Sequence, residues 1–342
     1  MPSSDLSPVL LRVEALGVDF GDHRALDAVS FEVGRAETVG LVGESGSGKS
    51  TLARALLRLV PAARGAVRWL GEDLLRLDSR ALRRHRHELQ IVFQDPLASL
   101  DPRMSVGAAL AEPLRIFEPA IGARERRARI AAMLERVGLS ESLHRRYPHE
   151  LSGGQCQRVG IARAMMPGPR LLICDEPVSS LDVSVQGQIV NLLADLQRDL
   201  GTAILFISHN LAVVRHLSHR VMVIYCGRIV EVAPCDALFA APLHPYTRAL
   251  LAAVPDPTRA FEPPDPDAVD AQITPAAAAS AAGSARGATG EAPRGGQVPS
   301  GCAFRDRCPY AEAACAASVP VLEPVGDAHA VACHRRRELV YS

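Results

Sequence analysis

A chain of 342 residues is long enough for one large domain or two modest ones with a buried core. Hydrophobic residues make up 48% and charged residues 22%, which excludes a disordered or fibrous chain. Basic and acidic residues number 38 each, so bulk charge carries no footprint of a nucleic-acid partner. No apolar run is long enough to cross a bilayer, and Met1 to Pro8 show neither a basic nor an apolar leader segment. The expected location is cytoplasmic.

Short apolar segments broken by Gly17, Gly21 and Gly34 predict a strand-rich start from Leu10 to about Val33. Thr38 to Val42 reads as a buried strand, followed by a glycine-rich turn and an apolar helix from Lys49 to Val60. Another strand is expected at Leu89 to Phe93. From about Pro96 to Met166 the pattern is mostly helical, with Ile130, Met133, Leu134 and Val137 at helical spacing and arginines on the opposite, solvated face. Leu171–Cys174 and Ala203–Ile207 suit central strands of a parallel sheet, and the apolar stripe Val185 to Leu200 between them completes a βαβ unit. Val221–Tyr225 and Arg228–Val232 pair as a hairpin around Gly227. Between Pro263 and Ser300 the chain is rich in alanine, glycine and proline with little to bury, the composition of a flexible linker.

Gly43-Glu44-Ser45-Gly46-Ser47-Gly48-Lys49-Ser50 fits the P-loop pattern in its required context of strand before and helix after. Glycines let backbone N–H groups turn inward around phosphate oxygens, and the helix N-terminus at Lys49, Ser50 and Thr51 adds its positive end. Lys49 is then placed for the β- and γ-phosphates and the Ser50 hydroxyl for Mg²⁺. Lys49 is also the only lysine in the chain, which marks a position that a broad, planar guanidinium does not suit. Leu171-Leu172-Ile173-Cys174-Asp175-Glu176 delivers Asp175 to a strand end as a Mg²⁺ ligand. Glu176 follows it, placed to orient or deprotonate the attacking water.

Leu151-Ser152-Gly153-Gly154-Gln155, followed by an arginine-bearing helix, resembles the signature motif of ABC ATPases. Physically it is a second glycine-opened helix N-terminus, with Ser152 as the cap. The resemblance implies that Ser152, Gly153, Gly154 and Gln155 reach the nucleotide held by another subunit, so that the protein acts as a dimer. Gln94 resembles the Q-loop glutamine that touches Mg²⁺ and the water. Ser180-Leu181-Asp182 resembles the dimer-crossing D-loop, His209 the switch histidine at the γ-phosphate, and Phe20 the ring that stacks on adenine. Cys156 departs from the arginine that commonly follows the signature, with little effect expected on hydrolysis.

The family so implied has an α/β fold. It is a P-loop NTPase of the ABC ATPase type, with a parallel-sheet core, an antiparallel β subdomain and a helical subdomain. The expected boundaries are 9–254 for the ATPase domain, with the helical subdomain at about 96–166, then 255–300 for the linker and 301–342 for a small cysteine-rich extension.

Of eight cysteines, Cys302, Cys308, Cys315 and Cys333 cluster in that extension with spacing C-x5-C-x6-C-x17-C. A reducing cytoplasm disfavours disulfides, and four thiolates suit Zn²⁺ or an iron–sulfur cluster, although the tight C-x2-C knuckles of common zinc sites are missing. Gly301 to Tyr310, together with His244 to Leu251, resembles the C-terminal extension of oligopeptide/dipeptide importer ATPases. That resemblance implies a [4Fe–4S] cluster on the four cysteines. Zinc and free thiols remain as alternatives, and the bland role is a staple for a tail too small to have a core of its own.

The expected function is therefore that of an ATP- and Mg²⁺-dependent subunit powering di/oligopeptide import. The resemblance implies two membrane permeases, a second related ATPase, an extracytoplasmic solute-binding protein and peripheral attachment at the cytoplasmic face of the membrane. Nickel, a glycoside or glutathione are alternative cargoes, because no residue of such an ATPase touches the cargo. A soluble ABC protein acting on ribosomes or DNA is the reading from another class. The single ATPase cassette, the lack of a coiled-coil insertion and the neutral charge argue against it.

Overall fold

The structure, a computed structural model, describes residues 9–253, 300–326 and 328–339. The alternating start of the chain folds as β1 (Val9–Phe20) and β2 (His23–Gly34), an antiparallel pair. Together with β4 (Arg64–Trp69) and β5 (Glu72–Asp73) they form a four-stranded sheet of order β2-β1-β4-β5. Between these lie β3 (Thr38–Val42) and α1 (Lys49–Leu56), the strand and helix that flank the P-loop. The helix was expected to reach Val60 but ends at Leu56. Arg58 adopts a left-handed backbone (φ +51°), and its guanidinium is held instead by the carbonyls of Leu74 and Leu77, at 3.0 and 2.5 Å.

After α2 (Ser79–His85) and β6 (Leu89–Val92) comes a helical segment. It comprises α3 (Val106–Phe117), α4 (Ala123–Arg136) and α5 (Gly153–Met165). The second half of the chain supplies β7 (Leu171–Asp175), α6 (Val183–Leu200), β8 (Ala203–Ile207), α7 (Leu211–Leu217), β9 (Arg220–Tyr225) and β10 (Arg228–Pro234). Two short helices follow, α8 (Cys235–Ala240) and α9 (Pro245–Ala252).

Strands β9, β3, β8, β7 and β6 are parallel neighbours, and both faces of this sheet are covered. Side-chain alternation splits the core in two. Leu172, Cys174, Ile204 and Phe206 face the helical segment, whereas Leu171, Ile173, Leu205 and Ile207 face α1 and the antiparallel sheet. All eight are at most 1% exposed, so each sheet residue is fixed from its own side and the strand ends are held in register.

The expected linker lies outside the described residues, Ser300 excepted. The cysteine-bearing tail packs onto the main sheet. It carries α10 (Ala313–Ala317), β11 (Glu323–Gly326) and β12 (His329–Val331), and β12 pairs with β10, so the main sheet runs β11-β12-β10-β9-β3-β8-β7-β6. Glu231 on β10 rivets this junction. Its fully buried carboxylate accepts from the backbone N–H groups of Leu243 and His244 (2.7 and 2.9 Å) and pairs with His329 Nε2 at 2.8 Å. Burial alone would raise its pKa, but these partners bring it below the ordinary carboxylate value.

Candidate nucleotide site

The turn from β3 into α1 is shaped by glycine where nothing else fits. Gly46 and Gly48 have φ of +78° and +104°, and a Cβ on Gly48 would stand 2.7 Å from the carbonyl oxygen of Ala25. The loop so formed leaves Lys49 almost wholly buried at the helix start, its Nζ donating to the carbonyls of Gly43 and Glu44 at 2.9 Å each. Desolvation lowers the pKa of this ammonium, while Glu176, Asp175 and Glu44 oppose the shift. Ser50 Oγ donates to Asp175 Oδ1 at 2.9 Å, bringing a hydroxyl and a carboxylate from α1 and β7 together. Burial raises the pKa of Asp175, and the Ser50 bond and the positive charges of Arg54 and Lys49 counter this.

Glu176 follows directly, with a left-handed backbone (φ +49°) unusual for this residue type. Its N–H donates to Ile207 O at 3.0 Å. One carboxylate oxygen lies 3.9 Å from Lys49 Nζ and the other 3.1 Å from His209 Nδ1. The histidine follows β8, the neighbour of β7, so parallel pairing of the two strands delivers Glu176 and His209 to the same sheet edge.

A cavity of about 600 Å³ opens at this edge. Ser45, Gly46, Gly48, Lys49, Ser50, Thr51, Gln94, Glu176, His209 and Phe20 all line it, as do His23 and Ala25, which the sequence did not single out. Phe20 is half exposed, a ring available to a ligand rather than a core residue. Gly43, Glu44, Ser47 and Asp175 do not line the cavity; Gly43 and Glu44 bond to Lys49 and Asp175 to Ser50, which do. Ser47 N–H closes the loop onto Glu44 O (3.2 Å), and Ser47 O accepts from Gly227 N (2.9 Å).

The second glycine-opened helix stands elsewhere. Ser152 caps α5 by accepting from Gln155 N–H, and the Gln155 side chain returns a bond to Ser152 N–H. Gly153 and Gly154 pack against Leu181 and Val185, so the segment Ser180, Leu181, Asp182 and the start of α6 buttress this helix end. Neither Ser152–Gln155 nor Ser180–Asp182 lines the P-loop cavity. Cys156, the next residue of α5, is fully buried, its thiol directed at the Pro148 carbonyl (3.4 Å).

All eight cysteines are free thiols. Among the described residues no group of three His, Cys, Asp or Glu side chains is placed to hold a metal ion, so the expected metal centre on Cys302, Cys308, Cys315 and Cys333 is not met as a formed site. Cys315 is buried, Cys302 and Cys308 rest on the core, and Cys302 N–H binds the Cys315 carbonyl at 2.7 Å.

A separate groove of about 420 Å³ runs between Phe93, just after β6, and α3. Leu59, Phe93 and Ile116 expose apolar surface along it, and Glu112 and Arg163 pair across it at 2.7 Å.

A strand that ends in a glycine turn, aiming a helix N-terminus and a buried ammonium into one cavity, is built for a polyphosphate, and the class is that of P-loop nucleotide hydrolases. Comparison with known proteins narrows it. The family model described as ABC transporter matches residues 26–179, and that of the oligopeptide/dipeptide transporter C-terminal region matches 230–272 and 271–315. The chain is 49% identical over 310 residues to the oligopeptide transport ATP-binding protein OppF of Salmonella typhimurium, spanning 91% of this chain and 87% of that protein. It is 50% identical over 345 residues to the probable peptide ABC transporter ATP-binding protein y4tS of Sinorhizobium fredii, spanning 97% and 91%. The dimeric post-hydrolysis structure of the ATP-binding cassette MJ0796, bound to ADP and Pi, superposes with a TM-score of 0.61 at 28% identity. The match covers 66% of this chain and 98% of that one. The chain belongs to the ABC transporter family, as one of its ATPases. No helix among the described residues is long and apolar enough to cross a membrane.

Proposed function

We propose that this ATPase powers import of di- and oligopeptides, working beneath membrane permeases that it drives by nucleotide-dependent closure. The observation that carries the reading is the cavity in which Lys49, Glu176, His209, Gln94 and Phe20 converge, in a chain whose C-terminal region matches the oligopeptide/dipeptide transporter type. Relatives named as oligopeptide transport ATP-binding proteins support the choice of cargo over nickel, glycosides or glutathione.

In this reading the backbone N–H groups of Gly43–Thr51 and the Lys49 ammonium hold the phosphates, and Phe20 stacks on the base. The adjacent Ser50 hydroxyl and Asp175 carboxylate fit a magnesium ion, with Gln94 as a further ligand. Bound there, Mg²⁺ neutralises phosphate charge. Glu176 accepts the proton of the attacking water, and His209, 3.1 Å from it, fixes its carboxylate and faces the γ-phosphate position. Ser152, Gly153, Gly154 and Gln155, with Ser180, Leu181 and Asp182, act on the nucleotide of the opposing ATPase. Their position away from this chain's own cavity supports that role. The opposing ATPase is a related second chain, and an extracytoplasmic binding protein delivers the peptide to two permeases. The chain itself sits peripherally at the cytoplasmic face, and the apolar groove beside Phe93 and Ile116 is the surface offered to a permease helix.

The proposed organisation keeps 9–254 as the ATPase domain with its helical part at about 96–166, a linker at 255–300, and the tail at 301–342. For Cys302, Cys308, Cys315 and Cys333 we keep a [4Fe–4S] cluster as the proposed ligand. The support is the match of this C-terminal region, which includes Cys302, Cys308 and Cys315, to the oligopeptide/dipeptide transporter type. Iron and sulfide analysis of anaerobically purified protein tests it, and stoichiometric zinc or metal-free protein would end it.

The functional test is uptake of labelled peptides in cells carrying Glu176→Gln at matched expression. Lost peptide uptake, with other solutes unaffected, is the expected result; retained peptide uptake with loss of another solute assigns a different cargo.

A further inference from the structure

The tail touches the phosphate loop itself. Arg307 lies in the short turn between Cys302 and Cys308, and its guanidinium grips Glu44 with two bonds, at 3.0 and 2.9 Å. Glu44 is the second residue of the P-loop. Its backbone N–H donates to Tyr246 Oη at 2.8 Å, and its carbonyl accepts from Lys49 Nζ at 2.9 Å. One loop residue is thus held by α9, by the buried lysine and by the tail. The guanidinium is itself fixed, with its centre 5.5 Å from the Phe304 ring and 6.0 Å from that of Tyr225. Tyr225, Tyr246 and Phe304 pack on one another with centroids 4.5–5.5 Å apart, so the contact rests on an aromatic platform shared by core and tail.

Both partners of the pair are partly exposed, and for holding the fold such a pair is worth little. Its location matters more. The Glu44 carboxylate is near enough to Lys49 to act on its charge, so an unpaired Glu44 would place negative charge beside the site that collects a polyphosphate.

We propose that Arg307 is a positioning residue for nucleotide binding: by pinning and neutralising Glu44, the C-terminal tail completes the P-loop. The inference rests on the P-loop being the ATP site. It gives the tail a role in the ATPase cycle that needs no ligand on its cysteines.

The experiment measures KM for ATP and kcat of the full chain in its assembled transporter. The variants are Arg307→Ala, Arg307→Lys, Glu44→Ala and the Arg307→Ala/Glu44→Ala double. Arg307→Ala raises KM roughly five-fold, the scale of one partly exposed charge pair, with kcat nearly unchanged. The defect shrinks as salt rises, because it is electrostatic. Arg307→Lys, which keeps the charge and loses the fork, falls between. In the double variant KM returns to that of Glu44→Ala alone, since the unpaired carboxylate has gone. An unchanged KM in Arg307→Ala overturns the proposal, as does a KM rise that persists without Glu44, which marks general damage to the tail. If Arg307→Ala does not fold, Arg307→Lys decides alone: KM equal to that of the parent chain refutes the role. Lys49→Ala serves as the separate control. Normal hydrolysis in that variant overturns the site reading, whatever Arg307 does.

Discussion

Acid should loosen the tail from the ATPase core, and His244 is the residue that makes it so. It is 2% exposed, and its Nδ1 accepts from Tyr246 N–H at 3.0 Å, which caps α9. That acceptor role requires an unprotonated Nδ1, leaving the proton on Nε2 for the backbone of Ala332 in the tail. Burial is the main cause that lowers its pKa from 6.5 to about 4, against the opposing pull of the Glu231 carboxylate. The unfolded chain therefore binds a proton that the folded chain refuses. Stability from this residue is complete above pH 6.5 and is lost as pH falls through the window down to about 4. Converting the shift at 1.36 kcal/mol per unit gives about 3 kcal/mol, or roughly 6–12 °C in melting temperature for a domain of this size. Glu231 adds its own loss only below the ordinary carboxylate value of 4.5, so the upper part of the window isolates His244. The assay is thermal unfolding at closely spaced pH values, for the parent chain and for His244→Asn. Asparagine keeps a capping oxygen and cannot titrate. The variant starts about 1–2 kcal/mol less stable, having lost the bond to Ala332. Its profile is flatter between pH 6.5 and 4.5, and the other histidines cancel in the comparison. Parallel profiles for the two proteins would refute the reasoning.

Three further outcomes are expected at the cavity. Glu176→Gln keeps ATP binding, read by equilibrium binding of labelled ATP, while kcat falls by about 10²-fold or more; an unaltered rate removes Glu176 from proton transfer. Lys49→Arg weakens ATP binding by roughly ten-fold or more, because the carbonyls of Gly43 and Glu44 at 2.9 Å and near-complete burial leave no room for a planar fork. Gly48→Ala costs about 1–3 kcal/mol of stability from backbone strain alone, and the 2.7 Å approach to Ala25 O adds a clash that also distorts the loop. Urea unfolding and ATP binding measured together check both effects, and native-like values for both would contradict the geometry.

How much of this was open to a reader of the sequence depends on the range of the contacts involved. The P-loop, Asp175, Glu176 and the glycine-opened start of α5 are local arrangements, in which a strand or helix end and a few residues determine the chemistry. His209 and Gln94 were identified only through their resemblance to a family, and parallel pairing of β7 with β8 brings His209 to Glu176. The apolar pattern of the helix beginning at Lys49 continues through Leu57 to Val60 and overstates its length, whereas the left-handed turn at Arg58 answers to carbonyls 16 and 19 residues away. His23 and Ala25 gave no signal at all; they line the cavity only because β2 folds back on β1.

The tail was the least legible part, for a physical reason. A segment too small to bury its own core must borrow one, and the sequence does not say from where. Composition pointed to four cysteines, the residues with the most distinctive chemistry. What fixes the tail among the described residues is a strand pairing from β12 to β10, a histidine on a buried glutamate 98 positions away, and an arginine on the P-loop 263 positions away. Each contact is ordinary when taken alone. Together they add two strands to the main sheet and tie the tail to the phosphate loop at one residue, Glu44.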